Sequence, residues 1–331
     1  MTWSIKPIAI YYEHPAWFKP LFAELEKRKI PFVRLNAAQC NYNPAARSAP
    51  FSLVVNRMSP SAYKRGNGNS IFYSQQYLRH LERLGVAIIN GPRAAALEFS
   101  KAAQLELLAA LGLPFPRTKV VNHVEQVLPA AKSLRFPVLI KPNVGGSGAD
   151  IVRFDSEAEL SKAIFLKQVN LGIDSVALVQ EYIPPKNGHI VRVETVNGKY
   201  LYAIKVYPVG GFNLCGADLC EVPGYTFSQA AIHRSGKSAP PEAYEPPPSI
   251  IADVERMVQA AGLDLGGVEY LIAADGTPVY YDINALSNFV AHAPDILGFD
   301  PYQKLVDYLE ERLVGILEAG VSYSLDHSLS Q

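Results

Sequence analysis

The chain has 331 residues, too long for one ordinary core and long enough for two or three domains. Apolar residues make up 49% and charged residues 19%, a balance that excludes wholesale disorder. The 31 Lys and Arg equal the 31 Asp and Glu, so no global field gathers nucleic acid or an anionic membrane, and any basic site is local. No apolar run approaches the roughly 20 residues that span a bilayer. The N-terminus, MTWSIKPIAIYYEHP, lacks a small-residue cleavage site, so no secretory leader is expected. Cys40, Cys215 and Cys220 are odd in number and carry no CxxC spacing, which favours reduced thiols in the cytoplasm over disulfides or structural zinc.

The first 90 residues read as a small α/β unit. Ile5 to Tyr11 is a strand-like run, and Phe18, Leu21, Phe22 and Leu25 follow at helical spacing. Phe32 to Leu35 and Leu53 to Asn56 are short strands, Ile71 to Leu84 is a helix, and Val86 to Ile89 is a strand that stops at Asn90-Gly91-Pro92. Alternating strands and helices imply a parallel sheet. A second unit opens with Ser100 as helix N-cap and Gly112 just past the helix end. A helix near His123 to Leu134, a strand from Pro137 to Lys141, the loop PNVGGSGAD and a strand from Ile151 to Phe154 follow; Ser156 and Glu159 form a capping box for the next helix. A third unit begins near Ala177. Asn197-Gly198 joins Ile190–Val196 to Tyr200–Tyr207 in a hairpin. Residues 208–248, rich in Gly and Pro, read as a long insertion. A helix from Ser249 to Ala261 precedes a second hairpin, Gly267–Ala273 and Thr277–Ile283 around Asp275-Gly276. A closing helix runs from about Tyr302 to Leu317, before a loose tail. The expected division is 1–97, 98–176, 177–318 and a 319–331 tail.

Three groups of residues carry chemistry. Gly145, Gly146, Ser147 and Gly148 let backbone N–H groups approach a phosphate, or simply connect two strands; no GK[ST] follows, so this is not a Walker loop. Lys141 ends an apolar strand, where an ammonium needs an anion or solvent. Lys101 alone reads as an ordinary helix lysine. Glu269 lies on one strand of the second hairpin. Asp282 and Asn284 lie two apart on the other and share a face, as a magnesium ligand set or a solvated sheet face. The histidines show no HxxH or HExxH spacing, and no GxSxG elbow occurs.

These pieces, in this order over about residues 98–318, resemble the ATP-grasp superfamily, and within it the ribosomal-protein glutamate ligases of the RimK type. The resemblance implies two α+β subdomains that clamp ATP, preceded by a small α/β pre-ATP-grasp domain. It implies a cytoplasmic, ATP-dependent ligase joining a carboxylate to an amine through an acylphosphate, with Mg²⁺ (or Mn²⁺) and ATP bound. Lys101 and Lys141 then match the phosphate-binding lysines, and Gly145 to Gly148 the loop over the phosphates. Gln180, Glu181, Tyr182 and Ile183 match the adenine hinge, and Glu269, Asp282 and Asn284 the metal set. Arg192 matches the family's catalytic arginine and Lys205 lies where a basic residue faces the phosphoryl end. In one register of the first hairpin both face the metals. The sequence departs from the pattern in three places. HIVRV puts Ile190 where an aspartate is usual, leaving either His189 or no residue as the ribose partner; Asp282 replaces a glutamate; and GGFNLCGADLC lacks an arginine, which leaves the acid and the amine open. The alternatives are an ATP-grasp kinase acting on a hydroxyl, or a nucleotide-binding regulator without turnover. Neither nucleic acid nor membrane is expected as a partner, and a homo-oligomer stays open.

Overall fold

The computed structural model describes residues 6–146, 148–207 and 239–328, with side chains to Glu318. Three sheets organise it. The first is built from β1 (Ile8–Tyr12), α1 (Lys19–Lys27), β2 (Phe32–Asn36), β3 (Leu53–Arg57), α2 (Gly68–Arg83), β4 (Ala87–Ile89) and α3 (Pro92–Glu98). Its strand order is β2-β1-β3-β4, all parallel. β1 is apolar throughout because both faces are covered: Ile8 and Ile10 pack with Phe18, Leu21 and Leu25, while Ala9 and Tyr11 pack with Val54, Ile71 and Leu78. The order reverses between β1 and β3, so the carboxyl ends of those two strands frame a crevice.

The second sheet comes from α4 (Lys101–Ala110), β5 (Thr118–Val121), α5 (Val127–Lys132), β6 (Val138–Pro142), β7 (Val152–Phe154), α6 (Glu157–Phe165) and β8 (Ala177–Glu181), in the order β5-β8-β6-β7. Ser100 caps α4 by accepting from the Ala103 N–H, and Gly112 follows the helix at φ 68, the left-handed turn that a side chain would strain. Ser156 accepts from the Glu159 N–H, but the Glu159 carboxylate takes the Asp155 N–H instead of closing the box on Ser156. β8, expected in the third unit, lies inside this sheet between β5 and β6, so the sheet ends after Glu181 and not at residue 176.

The third sheet contains β9 (Ile190–Val196), β10 (Lys199–Val206), β11 (Glu242–Tyr244), α7 (Pro248–Ala261), β12 (Leu265–Ile272), β13 (Pro278–Asn284), α8 (Ala293–Leu297) and α9 (Pro301–Ser328). It is antiparallel, ordered β11-β10-β9-β12-β13. Asn197 and Gly198 both have positive φ, 55 and 66, the backbone of a tight hairpin turn. α9 continues through Ser328, across most of the stretch expected to be a loose tail. Residues 208–238 of the expected insertion lie outside the described residues; β11, at its end, joins the sheet.

Two side chains fix how the units meet. Gln104 of α4 donates to the Ile283 carbonyl (2.8 Å) and accepts from the Ile283 N–H (3.0 Å), which fastens α4 to β13. Asn90, after β4, donates to the carbonyls of Leu265 and Ala285 (2.7 Å each) and accepts from the Asp264 and Leu265 N–H groups. Buried polar groups have to be satisfied, so these contacts specify one seating of the first unit and α4 on the third sheet. Among the described residues no helix is long and apolar enough to cross a membrane.

Candidate active site

A cavity of about 1040 Å³, part of it open to solvent, lies between the second and third sheets. Its lining includes the apolar Leu139, Ile151, Ile183 and Leu271; Leu139 and Leu271 sit two residues along their strands from Lys141 and Glu269, which with Lys101 and Asp282 make up the polar end. Gln180, Glu181, Tyr182 and Ile183, where β8 leaves its sheet, form part of the wall. The Gln180 amide donates to Thr118 Oγ1 (3.0 Å), and the Glu181 carboxylate accepts from Arg117 (3.1 Å) and the Arg135 N–H (2.9 Å). Arg153 stacks over the Tyr182 ring at 4.6 Å.

The polar end is assembled by register. Glu269 stands opposite Arg192 on one side and Asp282 on the other, so the three share one face across β9, β12 and β13. Asn284, two residues beyond Asp282, lies on the same face, its amide 3.3 Å from Asp282 Oδ2. Gly267 stands between Glu194 and Asn284, and a Cβ there would sit 3.0 Å from Ser287 Oγ and 3.1 Å from both Glu194 oxygens. A side chain there would press on that polar row. Lys101 opens α4 and reaches Asp282 Oδ1 at 2.5 Å; Lys141 of β6 stands 4.0 Å from the same oxygen and donates to the Tyr281 carbonyl at 3.2 Å.

Burial sets the charge states here. It pushes the Lys141 ammonium down to about 8, only partly offset by Asp282. Burial works against Lys101 as well, but the Asp282 charge and hydrogen bond outweigh it and hold Lys101 above its ordinary value. Asp282 in turn resists burial, because Lys101 and Lys141 hold its carboxyl low. Burial and then the Asp282 charge push Glu269 up to about 7. Burial opposes the charge of Arg192, but Glu194 and Glu269 hold its guanidinium firmly protonated; it bonds Glu194 at 2.6 Å and Ser287 Oγ at 2.6 Å and lies 3.7 Å from Glu269.

Gly145, Gly146 and Gly148 line the cavity; Ser147 lies outside the described residues. Two expected residues stand elsewhere. The register that would place Lys205 beside Arg192 is not adopted: Arg192 pairs with Ile204, and Lys205 pairs with Val191 on the opposite face. There its ammonium lies 3.9 Å from Glu242 and 5.1 Å from the Tyr244 ring centre. His189 stands half-buried beside Tyr207 and the Asn187 carbonyl and is not among the cavity-lining residues, while Ile190 lines the cavity in its place.

Sequence reasoning missed Tyr281, Asn143 and Glu98. Asn143 accepts from Ser100 Oγ (3.1 Å) and the Ala102 N–H (2.9 Å), which joins the start of the glycine loop to the start of α4 and so sets Lys101 near Lys141. Glu98, pushed up to about 7 by burial, accepts from the N–H groups of Ala285 and Leu286 just past Asn284. Neither follows a periodic pattern. A polar residue after a strand or at a helix end was the only signal. Among the described residues no three His, Cys, Asp or Glu cluster as a metal site; the set is two carboxylates and an amide.

Residues 99–212 match the family model of the RimK-like ATP-grasp domain. The described structure superposes on the RimK-domain ATP-grasp protein of Sphaerobacter thermophilus with a TM-score of 0.65, over 91% of this chain and 98% of that one, at 19% identity. Over residues 99–212 the chain carries a RimK-like ATP-grasp domain. It is 23% identical over 266 residues to a protein of Methanococcoides burtonii named probable alpha-L-glutamate ligase, covering 79% of this chain and 77% of the relative. It is 26% identical over 221 residues to a Geobacter sulfurreducens protein named D-alanine–D-alanine ligase, covering 64% and 62%. The residues matched by the family model take in the second sheet with β9 and β10 of the third; β12 and β13, with Glu269, Asp282 and Asn284, lie beyond them.

Proposed function

We propose that this chain is an ATP-dependent carboxylate–amine ligase. The observation that carries it is the convergence, in a mainly apolar cavity, of two buried lysines with two carboxylates and an amide that share a sheet face. A lysine whose burial is not fully offset, as at Lys141, fits a polyphosphate anion. The apolar lining of Leu139, Ile151, Ile183 and Leu271 fits the flat face of a purine. Glu269, Asp282 and Asn284 offer only oxygen donors. That set suits Mg²⁺, or Mn²⁺ with similar ligands, because such ions keep waters and share substrate phosphates instead of demanding a full protein cage. The ion's contribution there is to neutralise charge on the phosphoryl oxygens.

An ionised carboxylate is a poor electrophile. Transfer of the γ-phosphoryl group to a carboxylate oxygen yields ADP and an acylphosphate; an amine nitrogen then attacks the acyl carbon, the C–O bond to phosphate breaks, and a proton leaves the nitrogen. Lys101 and Lys141 hold the phosphates. Arg192, fixed by Glu194 and Ser287 on the same face as the carboxylates, is the cation placed for the tetrahedral oxyanion. Relatives named for glutamate and D-alanine ligation support the reaction class, and the acid and amine are left open between them. Hydroxylamine present during turnover with candidate acids should be converted to a hydroxamate, with ADP and phosphate released. A phosphorylated product stable to hydroxylamine would overturn the ligase reading in favour of a kinase.

A further inference from the structure

The glycine loop is gripped from outside the two sheets that bound the cavity. After β3 the chain turns at the crevice where the first sheet reverses its order, and a 3₁₀ turn, Ala62–Arg65, follows. That corner is rigidly built. Ser59 Oγ accepts from the Ser61 N–H (3.1 Å) and shares a hydrogen bond with Ser61 Oγ (2.8 Å). Arg65 Nε donates to both oxygens of Glu13, which follows β1, at 3.0 Å each, and Asn67 donates to Glu13 at 2.7 Å. The corner presents two side chains to the loop. Tyr63 donates its hydroxyl to Asp150 Oδ2 at 2.9 Å, and Lys64 Nζ lies 3.5 Å from the Gly146 carbonyl. The surfaces are in van der Waals contact: a Cβ on Gly146 would meet Pro60 Cγ at 3.4 Å, and one on Gly145 would meet the Tyr63 hydroxyl at 3.6 Å. Burial in this contact pushes the Lys64 ammonium down to about 8. Gly145, Gly146, Gly148 and Ala149 line the cavity, and neither Tyr63 nor Lys64 does.

A run of glycines has the widest backbone freedom of any sequence and holds no fixed shape unaided. Backbone donors stabilise phosphate only when they are held in place beforehand. We propose that Tyr63 and Lys64 are positioning residues of the nucleotide site: from the N-terminal unit they hold Gly146, within the glycine loop, and Asp150, just past it, and so set the loop's approach to the phosphate end of ATP. This rests on the nucleotide reading given above. It makes the first unit part of the ATP site as well as a neighbour of it. It also places the crevice of that unit, through one rigid corner, in mechanical contact with the phosphates.

The test is calorimetric binding of Mg-ATP and of AMP to the full chain and its variants, with Tm measured alongside. AMP lacks the phosphates under the loop and serves as the internal control. Tyr63→Phe should weaken Mg-ATP about fivefold, the worth of one net hydrogen bond, and leave AMP within twofold. Lys64→Met should do the same, and Lys64→Arg should restore ATP binding. The Tyr63→Phe/Asp150→Asn double variant should be no weaker than either single one, because the two share one bond. The proposal fails if ATP binding stays within twofold in both single variants. It fails equally if ATP and AMP weaken by the same factor, the mark of general structural damage, or if the losses multiply in the double variant. Wild-type protein that binds neither nucleotide would overturn the nucleotide reading itself, a result separable from all of these.

Discussion

Lys141→Met should make the nucleotide-free protein more stable while destroying its grip on ATP. Lys141 is fully desolvated in β6, and burial holds its ammonium at about 8 against an ordinary 10.5. At about 1.36 kcal/mol per pH unit, keeping that charge at neutral pH costs the fold about 3 kcal/mol. The base has a depressed folded pKa, so the folded chain binds fewer protons than the unfolded one between about pH 8 and 10.5. Stability therefore rises with pH across that window, and the full cost is present below it. Methionine has similar length and no charge. It loses the hydrogen bond to the Tyr281 carbonyl, worth about 1 kcal/mol, and leaves Asp282 its closer partner Lys101 at 2.5 Å. The net gain is about 2 kcal/mol, or about 5 °C in Tm. Urea and thermal denaturation in chelator, near pH 7 and again near pH 10, measure it, and the gain should shrink at the higher pH. Mg-ATP, which should stabilise the wild type by about 2.7 kcal/mol at roughly a hundred times its Kd, should stabilise the variant far less. A variant that melts at or below the wild-type temperature near pH 7 would refute the claim that this charge is held against the fold, as functional charges often are.

Further outcomes follow from the same sheet. Glu269, pushed up to about 7 by burial and then by Asp282, keeps a proton that the unfolded chain releases near 4.5, so nucleotide-free stability should fall as pH rises through that window. A divalent cation competes with the same proton, so Mg²⁺ affinity in calorimetry should climb from about pH 6 and level off above about 8; a flat profile would remove Glu269 from the ligand set. Lys205 faces away from the cavity, where its partly exposed pair with Glu242 is worth under about 1 kcal/mol, so Lys205→Ala should leave turnover within about twofold. Arg192→Lys loses the fork that spans Glu194 and Ser287 and should cost turnover about a hundredfold; equal losses in the two variants would contradict the observed register.

The local devices of this fold were legible because local chemistry writes them. Ser100 and Gly112 bound α4, and Asn197-Gly198 turns the first hairpin, each for reasons contained within a few residues. What the sequence hides is partnership at long range. β8 is a short apolar run that carries no mark of which sheet it joins, and its place between β5 and β6 is decided by residues about 40 and 60 positions earlier. Asn143 and Glu98 are single polar residues whose roles exist only once α4, the glycine loop and the turn after β13 meet. The helix α3 was missed because Asn90-Gly91-Pro92 reads as a stop, although proline at a first helical turn is equally a start.

The same limit explains the one residue placed on the wrong face and the one placed on the right face. A two-residue hairpin turn pairs Val196 with Lys199, and unbroken alternation from there sets Lys205 opposite Ile190, on the face of Arg192. β10 carries one extra residue, Leu201, between Tyr200 and Tyr202, and every side chain beyond it is turned over. Lys205 leaves the site by that step. The second hairpin takes the opposite course. Its turn is a three-residue loop, Ala274 to Gly276, across which Ala273 bonds Thr277; unbroken pairing from there sets Tyr281 opposite Glu269 and sends Asp282 to the other face. Tyr281 is instead the extra residue, and Asp282 arrives opposite Glu269. Bulges re-aim side chains beside functional sites, and the displaced residue leaves the ladder. Here its carbonyl accepts from Lys141 at 3.2 Å. A single insertion in β13 thus brings the carboxylate onto the site face and offers the buried lysine an acceptor. Alternation within a strand is enough to put Asp282 and Asn284 together; only the bulge decides which side of the sheet they serve.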